Sequence, residues 1–150
     1  MRPRPPLVAL VFFLSLLMRA GAEDFDPTHL IGLDLPAAVS ALGLPQEMST
    51  YRAAGENLDN VVFYYPDYLY LFWYRNRVWQ VRCDRRFAGP VLGLTLGMSR
   101  EQVERASPRQ LTPNGDSLYF DLDSKSYPIR VRLVFTSGVL YDLYVYRSDF

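Results

Sequence analysis

The chain holds one histidine and one cysteine, and these bound the chemistry it could do. His29 could act as a general base only beside a nucleophile and an orienting carboxylate, and no such set surrounds it in the sequence. The plainer reading is a polar residue leading into a helix. Cys83 has Arg82, Arg85 and Arg86 close by, the setting that activates a thiol. However, the alternation of its strand turns the side chain inward, as an inert core thiol. One Cys and one His cannot build a Cys/His zinc site, nor can one Cys close an internal disulfide. Asp121 and Asp123 share one face of a strand, with Leu118, Phe120 and Leu122 on the other. Two such carboxylates could do acid/base work, but they equally form the charged, wet side of an edge strand. Asn114-Gly115-Asp116 has no calcium-loop spacing, and no phosphate loop, Gly-x-Ser-x-Gly elbow or His-Glu-x-x-His occurs. The expectation is a protein that is not an enzyme, with no cofactor and no metal.

What stands out is aromatic. Phe, Trp and Tyr make up 15% of the chain, half of them Tyr. If Leu69, Leu71 and Trp73 face a core, then Tyr68, Tyr70, Phe72 and Tyr74 face the other way. A row of rings on a sheet surface marks a contact site when it is exposed, since such rings give large contact area at little rotamer cost. Arg75, Arg77 and Arg82 add hydrogen-bonding forks near the same hairpin. The alternative is that this face is covered from within, by Tyr64-Tyr65-Pro66, the N-terminal segment or the other half of the chain.

The elements that must position these residues recur. Gly32-Leu33-Asp34 and Gly97-Met98-Ser99 each place a glycine, an apolar residue and an N-cap ahead of a short helix. Pro36 falls in the first helical turn, Ser99 with Gln102 fits a capping box, and Gly43 and Pro108 end the two helices. Alternation predicts strands over 61–65, 68–74 and 78–83, then over 118–122, 129–135 and 140–146. Leu69, Leu71 and Trp73 match Val131, Leu133 and Phe135. Trp79, Val81 and Cys83 match Tyr141, Leu143 and Val145, at an offset of 62 (73 to 135, 79 to 141, 83 to 145). Asn76 then falls opposite Gly138, both suited to the left-handed positions of a tight hairpin. On the outward side the second unit carries Arg130, Arg132, Val134 and Thr136, an ordinary solvated set.

Residues 1–22 read as a cleaved signal peptide. Arg2 and Arg4 precede the apolar run Leu7 to Met18, and Ala20-Gly21-Ala22 offers small residues for cleavage. That run spans about 18 Å as a helix, short of a hydrocarbon core of roughly 30 Å. The whole chain has 16 basic and 16 acidic residues. Arg2, Arg4 and Arg19 leave with the leader and no acidic residue does, so the remaining body is mildly acidic. Nothing in that balance suits nucleic acid. The expected location is outside the cytoplasm, periplasmic or secreted. No lipid anchor is expected, because no cysteine stands at the cleavage site, and no transmembrane span is expected after cleavage.

Gly97-Met98-Ser99-x-x-Gln102-Val103 resembles the opening of the SmpA/OmlA (BamE-like) family, and Phe135-Thr-Ser-Gly138-x-Leu140-x-x-Leu143 resembles that family's closing hairpin. A tandem of such units is similar to the beta-lactamase inhibitor protein family. The resemblance implies exported, protein-binding repeats and a concave aromatic sheet as the gripping surface. From residues and resemblance together the expected fold is α+β: two tandem units of one short helix plus a three-stranded antiparallel meander, both helices on one sheet face. After the leader come an N-terminal segment (23–29), a first repeat (30–87) and a second (91–150), with 30–150 forming one body. The expected function is a cell-envelope interaction protein that binds a protein partner through Tyr68, Tyr70, Phe72, Tyr74, Arg75, Arg77 and Arg82. A glycan- or small-apolar-ligand module of the envelope is the alternative.

Overall fold

The computed structural model describes residues 23–51 and 60–149, so the expected leader lies outside the described residues. Alternating sequences become strands here, and capped segments become helices. Helix α1 (Leu35–Leu42) starts at Asp34, whose carboxylate accepts from the Ala37 N–H at 3.0 Å. Helix α2 (Arg100–Ala106) starts at Ser99 with a full capping box. Gln102 N–H donates to Ser99 Oγ, and Ser99 N–H donates to Gln102 Oε1. Each cap satisfies N–H groups that a helix start leaves without partners.

Ten strands follow in chain order: β1 (Glu47–Tyr51), β2 (Asn60–Tyr65), β3 (Leu69–Tyr74), β4 (Arg77–Asp84), β5 (Pro90–Val91), β6 (Leu94–Thr95), β7 (Thr112–Asn114), β8 (Ser117–Leu122), β9 (Ile129–Thr136) and β10 (Val139–Arg147). Eight of them form one antiparallel sheet in the order β1-β2-β3-β4-β10-β9-β8-β7, and β5 pairs with β6 apart from it. This corrects the expected architecture. The chain is not two helix-plus-three-strand units laid side by side; it is a single large sheet, hydrogen-bonded without interruption where β4 meets β10. The miscount has a physical cause. Edge strand β1 is exposed from Glu47 to Thr50, Met48 included, and shows no apolar alternation, while β7 is three residues long and contains Pro113, which only an edge tolerates.

The repetition itself extends to fine geometry. Arg75 and Asn76 turn the β3–β4 hairpin with positive φ, as Ser137 and Gly138 turn β9–β10. Trp73 pairs with Val78 and Phe72 with Gln80, leaving Trp79 as an extra bulge residue. Phe135 pairs with Leu140 and Val134 with Asp142, leaving Tyr141 as its counterpart. Gly32 N–H donates to Val78 O and Val78 N–H to Leu33 O; Gly97 N–H donates to Leu140 O and Leu140 N–H to Met98 O. The segment ahead of each helix is thus pinned to the start of the matching strand in the same way.

The core lies on one side of the sheet. Leu71, Val81, Cys83, Val131, Leu133, Leu143 and Val145 project inward with almost no exposure, and Ala38 of α1, Val103 of α2, and Val91 and Leu94 of the β5–β6 ribbon close over them. Burying each large aliphatic side chain contributes about 1.5–3 kcal/mol, which is what holds the halves as one body. The N-terminal segment joins this layer. Phe25 N–H donates to Pro90 O, and Leu92 N–H donates to Phe25 O. Among the described residues no helix is long and apolar enough to cross a membrane.

Candidate interaction face

The second side of the sheet is built by the alternate residues of the same strands. Tyr64 pairs with Tyr70, Tyr70 with Arg82, Arg82 with Tyr144, Tyr144 with Arg132, and Arg132 with Tyr119. A single row therefore crosses six strands as Tyr, Tyr, Arg, Tyr, Arg, Tyr. Neighbouring strands lie about 4.8 Å apart, so rings on alternate strands recur about every 10 Å. The Arg82 guanidinium sits 5.0 Å from the Tyr70 ring and 5.7 Å from the Tyr144 ring, and Arg132 sits 5.9 Å from Tyr119, all within cation–π range. Among the described residues, the helices and the β5–β6 ribbon join the core on the inner side, while on the outer face Val62 and Phe72 are buried and Arg86, from the turn after β4, reaches the Tyr70 hydroxyl at 3.3 Å.

Charges on the face are mostly matched. Arg82 reaches Asp142 at 2.7 Å, Arg86 reaches Asp84 at 2.6 Å, and Arg130 grips Asp121 with two bonds of 2.7 and 3.1 Å. Asp84 and Asp142 oppose each other across the β4–β10 ladder, and both are buried. Two facing carboxylates repel, so each needs its own arginine. Burial works against the charge on Asp84, yet hydrogen bonds from Arg86 and from the Tyr70 hydroxyl outweigh it and hold the carboxyl below its ordinary value. Burial, and then the hydrogen bond to Asp84, push the Tyr70 phenol up.

The structure scatters the seven residues singled out in the sequence. Tyr70, Phe72 and Arg82 lie on the outer face; Phe72 is buried there, with Trp79 edge-on at 6.5 Å. Tyr68 precedes β3 in a turn, half-buried with the Arg86 guanidinium 4.0 Å from its ring. Tyr74 and Arg75 are at the hairpin end, where Tyr74 helps line an open hollow of about 310 Å³ with Leu35, Phe63 and Trp73. Arg77 turns toward the helix side, where it donates to Gly32 O at 3.2 Å and lies 3.6 Å from Asp34. Arg82 is no edge residue, being in the middle of the sheet.

Sequence reasoning missed Tyr119 and Tyr144, although parity with Leu118 and Phe120, and with Leu143 and Val145, turns both outward. The second unit's outer face is therefore aromatic too, rather than an ordinary solvated set. The remaining chemical candidates are accounted for locally. Cys83 is fully buried, and burial pushes its thiol up to about 12. His29 is largely exposed, 3.6 Å from Asp26. Asp121 is held low by its bonds from Arg130.

No family model matches the chain, and no curated protein does. Its fold is shared by solved structures, among them the following two. One is an extracellular protein containing a SCP domain from Bacillus anthracis, 14% identical with a TM-score of 0.54, covering 84% of this chain and 47% of its own. The other is a cysteine-rich secretory protein from Staphylococcus aureus, 13% identical with a TM-score of 0.53, covering 86% of this chain and 50% of its own. The chain spans about half the length of these neighbours. They overturn the resemblance to the SmpA/OmlA (BamE-like) and beta-lactamase inhibitor families, and with it the BamE-like reading. The reason is visible in the motif. Gly97–Val103 encodes a positive-φ glycine and a capping box, and 135–143 encodes a tight bulged hairpin. Both are local solutions available to many folds.

Proposed function

We propose that this is an exported, non-enzymatic protein that binds a protein partner through the outer face of its sheet. The observation that carries the reading is the row Tyr70–Arg82–Tyr144–Arg132–Tyr119, continuous across both halves of the sheet, with Arg132 exposed and the other four half-buried. Tyr and Arg are the side chains that dominate binding hot spots, and here backbone register and ion pairs already hold them in place. Little ordering cost is left for the moment of binding. Export is supported by the basic, apolar and small-residue order of 1–22, which suits a cleaved leader. Two structural neighbours described as extracellular or secretory point the same way. The non-enzymatic part draws on the candidate groups being spent locally: an inert thiol, an exposed histidine beside Asp26 and a carboxylate bound to arginine.

A photo-cross-linking amino acid placed at Tyr70, at Tyr119 and at Ser40 of α1 tests this in the native host. Protein adducts are expected from the two outer-face positions and not from the helix. Equal yields from Ser40, or none from Tyr70 and Tyr119, would sink the proposal. In the latter case, quenching of Trp79 fluorescence by cell-wall sugar fragments would put a glycan module in its place.

A further inference from the structure

Among the outer-face arginines, one differs. Arg82, Arg86 and Arg130 each hold a carboxylate. Arg132 donates its Nε to the hydroxyl of Ser117 at 3.1 Å, a neutral acceptor that is itself buried, and has no carboxylate partner among the described residues. That single bond orients the guanidinium plane and leaves the terminal nitrogens of the fork unused. Arg132 is exposed, and the rings of Tyr144 and Tyr119 stand opposite it on the two flanking strands.

In water an unmatched guanidinium costs nothing. Under a partner it must be desolvated, and a buried charge without a counter-charge is strongly unfavourable. Resting on the reading of this face as a contact surface, we infer that the partner is a protein that inserts an aspartate or glutamate side chain between Tyr119 and Tyr144 onto the fork of Arg132. A carboxylate matches the fork with two parallel hydrogen bonds, and flanking rings exclude water from them. Beside Tyr119 an open groove of about 430 Å³, lined by Gln110, Thr112, Asn114, Asp121 and Arg130, leaves room for the chain that carries the acid. The charge pattern selects one acid over a polyanion. Asp84, Asp142 and Asp121 cancel the other arginines, so the face has no broad positive field for a nucleic acid or an anionic membrane.

The test uses side-chain amide spectra of 15N-arginine protein titrated with acetyl-Tyr-Glu-Tyr-amide and its Gln counterpart, with acetate and inorganic phosphate as further arms. The Arg132 Nε–H is expected to shift with the Glu peptide, and the Gln peptide is expected to bind roughly tenfold more weakly. Arg132→Gln should remove that difference and Arg132→Lys, which keeps the charge but loses the fork, should reduce it. Far-UV circular dichroism checks that both variants fold. Equal binding of the two peptides, binding of neither, a difference that survives Arg132→Gln, or shifts as large with acetate or phosphate would each overturn the inference. Cross-linking from Tyr70 is a separate readout: adducts there with Arg132 silent reject this inference alone, and no outer-face adducts reject the contact reading itself.

Discussion

The two faces of the sheet use alternate residues of the same strands, yet different physics holds them. Inward, Leu71, Val81, Leu133 and Val145 join one apolar cluster with Ala38 of α1 and Val103 of α2, and stability comes from area removed from water. In that cluster the Tyr65 hydroxyl and the Trp73 Nε1 are buried without a hydrogen-bond partner among the described residues. Outward, Tyr70, Arg82, Tyr144 and Arg132 stand in a row of rings and guanidinium groups, and order comes from ring contacts along it and from bonds to Asp84, Asp142 and Ser117 beside it. A face stabilised by burial has no capacity left for a partner. A face ordered by its own matched charges stays rigid and still presents surface, which is the combination a contact site needs.

That contrast can be broken in order of expected effect. Leu133→Ala, at a position with no exposure, should cost about 2–5 kcal/mol in a denaturant melt, because both the transfer energy and a cavity are lost. A loss below 1 kcal/mol would mean the inner face is not the main source of stability. Asp84→Asn should cost about 1.5–3 kcal/mol at neutral pH, the scale of hydrogen bonds to a charged group. Its pH signature follows from the depressed folded-state value. The stabilisation is present above the ordinary carboxylate value of 3.8 and is lost as pH falls through the lower folded value. The gap between wild type and Asp84→Asn should therefore hold down to about pH 4 and close only progressively below it; a gap that does not narrow as pH falls further contradicts the ion-pair account of this face. Smallest of all, Arg132→Gln should change stability by no more than about 0.5 kcal/mol, since the side chain is exposed and bonds only one hydroxyl. A larger loss would make Arg132 a structural residue rather than one held in reserve for a partner.

Much of the local structure was legible in the sequence. Asp34 and Ser99 announced their helices because capping is a contest among neighbours in the chain, and the caps form as the spacing predicts. Asn76 and Gly138 marked their hairpins because left-handed backbone restricts residue type. The inward phase of Leu71, Val81 and Leu133 was legible because a strand's side-chain period is two. The same phase held Tyr119 and Tyr144, but their value stayed hidden while the second half was read as ordinary solvated surface.

What the sequence by itself determined is therefore the local grammar: caps, turns, the six strands of the two meanders, and which residues of each strand face inward. The tertiary structure alone decided that β4 and β10 pair. Backbone hydrogen bonds between those strands carry almost no side-chain signal, so nothing in either repeat foretold the union. Yet that one ladder turns two meanders into a single sheet and sets Asp84 against Asp142. It also brings Arg82 between Tyr70 and Tyr144, making two separate rows one continuous face.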